Sequence, residues 1–294
     1  MTKVFRKILI GLAAVLAAVI VLSVIGIAMF KGTPAWYSDA AGNRPSAAQR
    51  EQLARAAENK MIGAQNWAAT LRADAQRAQH ATTTTTARAE SSHVIEFSDQ
   101  ELNALFDKWS VLYGWRDKYA AYLEDPRIIL QNDRLILAGR MKELGAVASF
   151  QFRPQLDAGG KLRLDLVRVT GGKLPLPEGA WVKWRNQIVE GTRKNLPMWR
   201  AQARIDSTGA ANFPAMATTL SRLLFAVAEK QPAEPVLFLP LADAGDSVPV
   251  KVANVALETG KLTLTVEPMT PVERAALLQR IRTAQGGDAQ ASGN

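Results

Sequence analysis

The side chains of this sequence that could carry metal or nucleophilic chemistry are few and scattered. The 294 residues include two histidines, His80 and His93, and no cysteine. A zinc site or a histidine-based triad needs several such groups brought together. Without cysteine, disulfides and thiolate chemistry are excluded. The sequence therefore predicts no metal site and no cofactor.

Carboxylates occur at positions typical of helix caps, turns and strand exteriors, and paired-carboxylate catalysis needs two of them to converge in a cleft. The six considered are Glu96, Asp99, Glu101, Asp133, Asp157 and Asp165. The chain also lacks a Gly-x-Ser-x-Gly elbow, a phosphate-binding loop, a dinucleotide fingerprint and a His-Glu-x-x-His motif. We therefore expect a protein that is not an enzyme and has no catalytic residues.

The strongest candidate for a binding surface is a series of strand-like segments between Pro126 and Pro177. Asn132-Asp133 suits a tight hairpin turn, and Asp157 to Gly160 suits the next turn. Between these turns apolar residues alternate with polar ones, as in half-buried antiparallel strands. We expect seven of them to line an apolar groove, namely Leu130, Leu137, Phe150, Phe152, Leu162, Leu164 and Leu166. The alternative is that they fill a closed core, as such residues normally do.

An apolar segment from Ile8 to Phe30 predicts a membrane anchor. Its length suits the roughly 30 Å hydrocarbon core, and it is longer than the apolar part of most cleaved signal peptides. The basic residues Lys3, Arg6 and Lys7 precede it, which favours a cytoplasmic N-terminus and an extracytoplasmic domain. We therefore expect a single-pass protein of the cell inner membrane, with Trp36 and Tyr37 at the membrane surface.

An alanine-rich helical pattern follows Ser46, a candidate N-cap, with small or apolar residues at steps of three and four. This helix either packs on the folded domain or extends as a stalk, and a self-associating coiled coil is the sharper alternative. The threonines at 82–86 predict a linker. The expected organisation is an anchor at 1–31, a juxtamembrane helix and linker at 32–92, a domain at 93–284 and a disordered tail at 285–294.

Further local signals define the domain. Ser98 to Glu101 and Thr270 to Glu273 form capping boxes, each of which predicts the start of a helix. The stretch from Val248 to Val266 predicts a hairpin that turns at Thr259-Gly260. Pro232 to Pro240 predicts an edge strand. After Pro177, Trp181 and Trp184 share the face of a basic amphipathic helix, which predicts either a membrane-surface helix or one packed on the sheet.

Together these elements predict an α+β fold in which a curved antiparallel meander packs with helices, after one transmembrane helix and a helical stalk. The chain resembles the YpmS-like membrane-anchored proteins of unknown function in four features. These are the anchor, Ser98-Asp-Gln-Glu-Leu-Asn103, the Asp157-Ala-Gly-Gly-Lys-Leu hairpin and Gly172-Lys-Leu-Pro-Leu-Pro177. More distantly, this order is similar to bacterial envelope proteins with a tubular lipid-binding (TULIP-like) fold. The resemblance implies an acyl-chain groove and supplies no catalytic residues.

The partner classes follow from charge and location. A net charge of +9 suits anionic partners. Because the basic residues are dispersed and the expected location is outside the cytoplasm, nucleic acid is not expected. We expect a membrane-tethered module that binds lipid or another apolar ligand. The alternative is a scaffolding protein that contacts an envelope protein through its stalk helix and basic surface.

Overall fold

The fold combines helices with two curved antiparallel sheets and is of the α+β class, as predicted. The computed structural model describes residues 23–80, 92–112, 114–179, 231–233, 235–239, 248–270, 272–277 and 279, with residues 182, 186, 190, 194, 226 and 229. The predicted features at residues 1–22, in the threonine linker and in the tail lie outside these residues.

A five-stranded meander forms the larger sheet. Its strands are β2 (Leu123–Gln131), β3 (Arg134–Met141), β4 (Ala146–Leu156), β5 (Leu162–Gly171) and β6 (Leu174–Pro175), in the spatial order β2-β3-β4-β5-β6. Both predicted turns are confirmed. Asp133 adopts a φ of 63° in the first turn, and the Asp157 carboxylate accepts the N–H groups of Gly159 and Lys161 at 2.9 Å in the second.

The smaller sheet joins the two ends of the domain. Its strands are β1 (His93–Ser98), β7 (Val236–Leu239), β8 (Val248–Glu258) and β9 (Lys261–Pro268), in the order β1-β9-β8-β7. The predicted hairpin is β8–β9, and Gly260 supplies its positive φ of 76°. The strand predicted in the proline-rich segment is β7, which lies at an edge as expected.

Six helical segments of five or more consecutive described residues surround these sheets. They are α1 (residues 23–31), α2 (Ala35–Gly42), α3 (Ala47–His80), α4 (Asp99–Leu112), α5 (Trp115–Tyr119) and α6 (residues 272–277). Both predicted capping boxes are present, since Ser98 and Glu101 exchange hydrogen bonds, as do Thr270 and Glu273. Ser46 caps α3 through the backbone N–H of Gln49.

The alanine-rich helix α3 is part of the domain. Its stripe of Ala54, Ala57, Met61, Ala64 and Ala68 is buried, and most of it belongs to a core shared with β1, β8, β9 and α4. Alanine lets the helix approach the sheet closely because it adds little volume. Up to Ala68, therefore, α3 packs on the folded domain and does not extend from it as a stalk. The coiled-coil alternative is wrong for this stripe, because the seam it would use is already covered.

The two sheets meet at the tips of their hairpins. The Asn132 side-chain oxygen accepts the backbone N–H and the hydroxyl of Thr259, both at 3.1 Å, and Gly260 donates its N–H to the Leu130 carbonyl at 3.0 Å. Nearby, Leu162 and Ala233 exchange two backbone hydrogen bonds. These contacts hold the sheets together at the end of the larger sheet opposite the β3–β4 turn.

The predicted membrane span is only partly covered by the structure. Among the described residues, no helix has the length and apolar character needed to cross a membrane. Residues 8–22 of the expected span lie outside them. The described remainder, α1, leaves Val24, Ile25, Ile27 and Met29 at least 40% exposed.

Candidate functional site

The strand register brings the predicted groove residues to one face of the five-stranded sheet. Two rows cross four strands, the first through Ile128, Leu137, Phe150 and Val169 and the second through Leu130, Leu135, Phe152 and Leu166. Further along, Leu164 pairs with Pro154 and Leu162 with Leu156. We call this set the apolar strip, which consists of Ile128, Leu130, Leu135, Leu137, Phe150, Phe152, Leu156, Leu162, Leu164, Leu166 and Val169.

An irregularity in the β4–β5 pairing makes the strip continuous. Gln151 pairs with Arg168, whereas the next residue, Phe152, pairs with Leu166, so Val167 is an extra residue in β5. An extra residue reverses the alternation of side chains beyond it. Strict alternation would place Arg168 on the same face as Leu166. The bulge instead turns Arg168 away and brings Val169 to the apolar side.

Burial divides the strip into a closed part and a more accessible part. Leu130 is 1% exposed and therefore belongs to the packed core. Leu137 is 39% exposed, and the other five predicted groove residues are half-buried. An aliphatic side chain left open to this extent is available for contact with another apolar molecule. The seven predicted residues thus share a face, but Leu130 is not accessible on it.

Small residues mark the end of the strip next to α1. Gly139, Ala148 and Gly171 form the row beyond Phe150. The Phe30 ring occupies the position that a Cβ on Gly171 would take, and the Leu123 side chain lies 2.7 Å from the corresponding position on Gly139. The last aromatic residue of α1 is therefore packed on the same face as the strip.

Backbone contacts fix this junction. Lys173 donates its N–H to the Met29 carbonyl at 2.9 Å, and Gly172 donates to Val147 at 2.7 Å. Gly172 has a φ of 59°, and a Cβ there would collide with the Phe30 carbonyl. The Arg140 guanidinium also reaches the Thr33 hydroxyl at 3.2 Å. Helix ends expose carbonyls without helical partners, so the Lys173 contact satisfies one of them while joining α1 to the sheet.

The aromatic pair after α1 does not have the predicted arrangement. Tyr37 is 2% exposed and packs on the opposite face of the sheet with Ile129 and Ile136, while its hydroxyl donates to the Asp125 carbonyl at 2.8 Å. Burial is the main reason that its pKa is raised. The membrane-surface prediction is therefore wrong for Tyr37. Trp36 is half-buried beside the same cluster.

The second predicted aromatic pair, Trp181 and Trp184, lies outside the described residues. Neither of its two predicted placements, on a membrane surface or on the sheet, is therefore decided.

The face opposite the strip is mixed beneath its α2 cover, because buried polar groups lie beside the apolar cluster of Ile129 and Ile136. Ser149 and Thr170 share a buried hydrogen bond of 2.7 Å. Arg127 is also buried and binds the Asp125 carboxylate at 2.7 Å. The two faces of this sheet therefore differ in chemistry, and the apolar strip is the face suited to an aliphatic ligand.

A cleft of about 270 Å³, with Arg50 and Asp107 in its wall, lies where α2, α3, α4 and β2 meet, and sequence reasoning missed it. Arg44 pairs with Asp107 at 3.2 Å and Asp125 at 3.4 Å, while Arg50 lies 3.9 Å from Asp107. Burial raises the pKa of Asp99 in its wall. No local motif could have indicated these pairings, which join residues 57 to 81 positions apart. The ion pairs join Arg44, which lies between α2 and α3, and Arg50 of α3 to α4 and β2, which gives these charged residues a structural role.

The carboxylates weighed as catalytic candidates do not converge. Glu96 pairs with Lys261, the buried Glu101 with Lys60, and Asp133 with Arg153, so a different cation holds each of the three carboxylates. Within the described residues, no group of three metal-binding side chains is present. His93 stacks on Trp67 with ring centroids 5.3 Å apart. The His80 side chain lies outside the described set.

Comparison with known proteins gives no relative. No family model, no curated protein and no solved structure matches this chain. The resemblance to YpmS-like and TULIP-like proteins stays a prediction.

Proposed function

We propose that this protein is a membrane-tethered, non-enzymatic module that binds the acyl chain of a lipid, or a similar apolar ligand, at the cell envelope. One observation carries the proposal: the apolar strip runs without a polar break from the Phe30 contact to Leu162. A ligand leaving the bilayer beside α1 would meet apolar side chains along the whole path.

The dimensions of the strip suit an acyl chain. From Gly171 to Leu162, β5 extends for about 30 Å at roughly 3.3 Å per residue. One leaflet supplies about half of the roughly 30 Å hydrocarbon core, so a lipid tail fits within the strip. The partly open side chains at Leu137 and beyond would lose water contact on binding, which favours association by about 25 cal/mol per Å² of apolar area.

The proposed location is the inner membrane, with residues 8–30 as the single span. The basic residues before the span favour a cytoplasmic N-terminus and place the sheets on the extracytoplasmic side. The scaffolding alternative is less supported, because the apolar stripe of α3 that a partner could have used is buried against β1 and α4.

Photo-crosslinking of the full chain in vesicles tests the proposal. The vesicles contain a phospholipid with a diazirine in its acyl chain, and modified peptides are mapped by mass spectrometry. We expect modification of β3 to β5 as well as of the anchor. The substitution Leu164→Trp should fill the strip and abolish modification of β3 to β5. Ile62→Trp, at a position on α3 that is 49% exposed, is the matched control and should leave the pattern unchanged.

Two other outcomes are informative. Modification of the anchor alone would show a tether without a lipid-binding strip. If circular dichroism shows that Leu164→Trp loses the fold, Leu164 instead belongs to a closed core.

A further inference from the structure

The end of the five-stranded sheet beside α1 carries a set of exposed side chains that the strip does not explain. Leu144 lies in the turn between β3 and β4 and is 41% exposed, and Tyr122, just before β2, is 63% exposed. Lys31, Lys142 and Lys173 are exposed as well. We call these five residues the rim.

The fold brings the rim residues together. Met141 pairs with both Leu123 and Ala146, so the start of β2 and the β3–β4 turn are adjacent. Lys142 donates its N–H to the Tyr122 carbonyl at 3.0 Å. On the other side, Gly172 bonds Val147 and Lys173 bonds Met29, which places the β5–β6 turn and the end of α1 at this same edge.

We infer that the rim lies on the membrane surface and contacts the phosphates of anionic lipid headgroups. The inference rests on the proposed function, because it requires α1 to continue into the bilayer. Given that attachment, the contacts at Phe30 and Lys173 leave little freedom between the helix and the sheet, so the edge nearest the helix end faces the lipid.

The side-chain chemistry of the rim suits this position. Tyrosine has an apolar ring and a polar tip and is enriched at membrane interfaces. Lysine extends its ammonium group toward phosphate while its aliphatic part covers apolar surface. Leu144 is an exposed aliphatic side chain at the tip of a turn. Glu143 and Glu124 are also exposed at this edge, so the lysines exceed the acidic groups by one, and the half-buried Arg140 adds further positive charge.

Single labels on the naturally cysteine-free chain test the inference. Leu144→Cys carries a fluorophore, with Ile27→Cys as the anchor control and Ile62→Cys as the distant control. The full chain is placed in phosphatidylcholine vesicles with about 30% phosphatidylglycerol, since anionic headgroups attract lysine. A nitroxide at the headgroup is the quencher. We expect quenching at Leu144 and not at Ile62.

Charge reversal then identifies the interaction. Lys142→Glu and Lys173→Glu should each weaken docking of the rim on the membrane, which quenching of the Leu144 label reports. The ratio of docked to undocked domain should fall at least about fivefold. Lys161→Glu, at an exposed position in the far turn, should not change it. If the Ile27 label is quenched and the Leu144 label is not, the inference about the rim is overturned, while the attachment of the domain to the membrane through α1 still holds. Absence of quenching by acyl-chain nitroxides at Ile27 would overturn the proposed function itself.

Discussion

The backbone N–H of Lys173 donates to the carbonyl of Met29 across 2.9 Å, so the end of α1 is hydrogen-bonded to the turn between β5 and β6. This bond forms where two glycines allow the helix to approach the sheet. Phe30 takes the space that a side chain at position 171 would need. The junction therefore depends on residue size as well as on backbone conformation.

Gly172→Ala should break this junction, and Gly145→Ala is its matched control. Both glycines have a φ of 59°, but a Cβ at Gly145 meets no atom within 4 Å. The control should cost only the left-handed backbone penalty, about 1–2 kcal/mol. At Gly172 the collision with the Phe30 carbonyl adds to that penalty, for a total of about 2–4 kcal/mol. Urea unfolding in detergent, with hydrogen exchange of the Lys173 amide, measures both effects. Equal costs at the two sites would contradict the collision.

Asn103→Ala should destabilise the edge of the five-stranded sheet. The Asn103 side-chain oxygen accepts the Ile128 N–H at 2.8 Å, and its amide nitrogen donates to the Ile128 carbonyl at 2.7 Å. The side chain thus replaces a neighbouring strand along β2, which is an edge strand. Its loss should cost about 2–3 kcal/mol, because both backbone groups lose their partners. The exposed Asn66→Ala serves as control in thermal unfolding and should be near neutral.

Local features of this fold could be predicted from the sequence because each depends on a few neighbouring residues. The turn at Asn132-Asp133, the Ser98 and Thr270 capping boxes and the edge position of β7 follow from turn chemistry, cap hydrogen bonds and proline. The seven predicted groove residues were also expected to share a function, and the structure places them on one face.

Features set by tertiary contacts could not be predicted in this way. The bulge at Val167 depends on pairing with β4, and Tyr37 is buried because α2 folds back onto the sheet. An aromatic residue after an apolar span resembles an interfacial anchor in sequence whether or not a sheet covers it. Asn103 carries no local signal of its bond to Ile128, which lies 25 residues away.

Leu130 and Leu137 should respond differently to truncation, although both were assigned to the groove. Leu130→Ala should cost about 2–5 kcal/mol, because it leaves a cavity in a packed core. Leu137→Ala should cost about 1 kcal/mol or less, since its side chain is already 39% exposed. Of the two variants, Leu137→Ala is the one that should lower lipid crosslinking to the strip while the protein keeps its stability. Denaturant melts of the two variants in parallel check this, and a larger loss at Leu137 would show that the strip is closed there.

Two adjacent positions in α3 should have opposite effects on stability. Gly63→Ala should stabilise the protein by about 0.5–1 kcal/mol, because alanine favours the helix and its Cβ meets nothing within 4 Å. Ala64→Leu should destabilise it by about 1–3 kcal/mol, because Ala64 is 0% exposed in the core with β1 and α4. Thermal unfolding distinguishes them. A neutral Ala64→Leu would mean that this part of α3 separates from the domain.

The ion pair between Lys60 and Glu101 should make stability depend on acid. Burial acts to raise the pKa of Glu101, but the hydrogen bonds from Lys60, at 2.6 and 2.8 Å, and from Ser98, at 2.7 Å, outweigh it and the pKa is lowered. A carboxylate whose pKa is lower in the folded state stabilises that state above its unfolded pKa, ordinarily about 4.3. This contribution is lost as the pH falls from there through the folded pKa.

Glu101→Gln should remove that contribution and cost about 1–3 kcal/mol at neutral pH. The free energy of unfolding of the wild type and the variant should then converge as the pH falls below about 4.3. Comparing the two proteins at each pH cancels the other titrating groups, among them Asp99, whose pKa burial raises. Glu258→Gln removes a carboxylate whose side chain is 68% exposed and 3.7 Å from Lys261, so it is the surface control and should cost less than about 1 kcal/mol at neutral pH. A constant difference between wild type and Glu101→Gln from neutral pH into acid would mean that the Lys60 contact contributes through packing and not through charge.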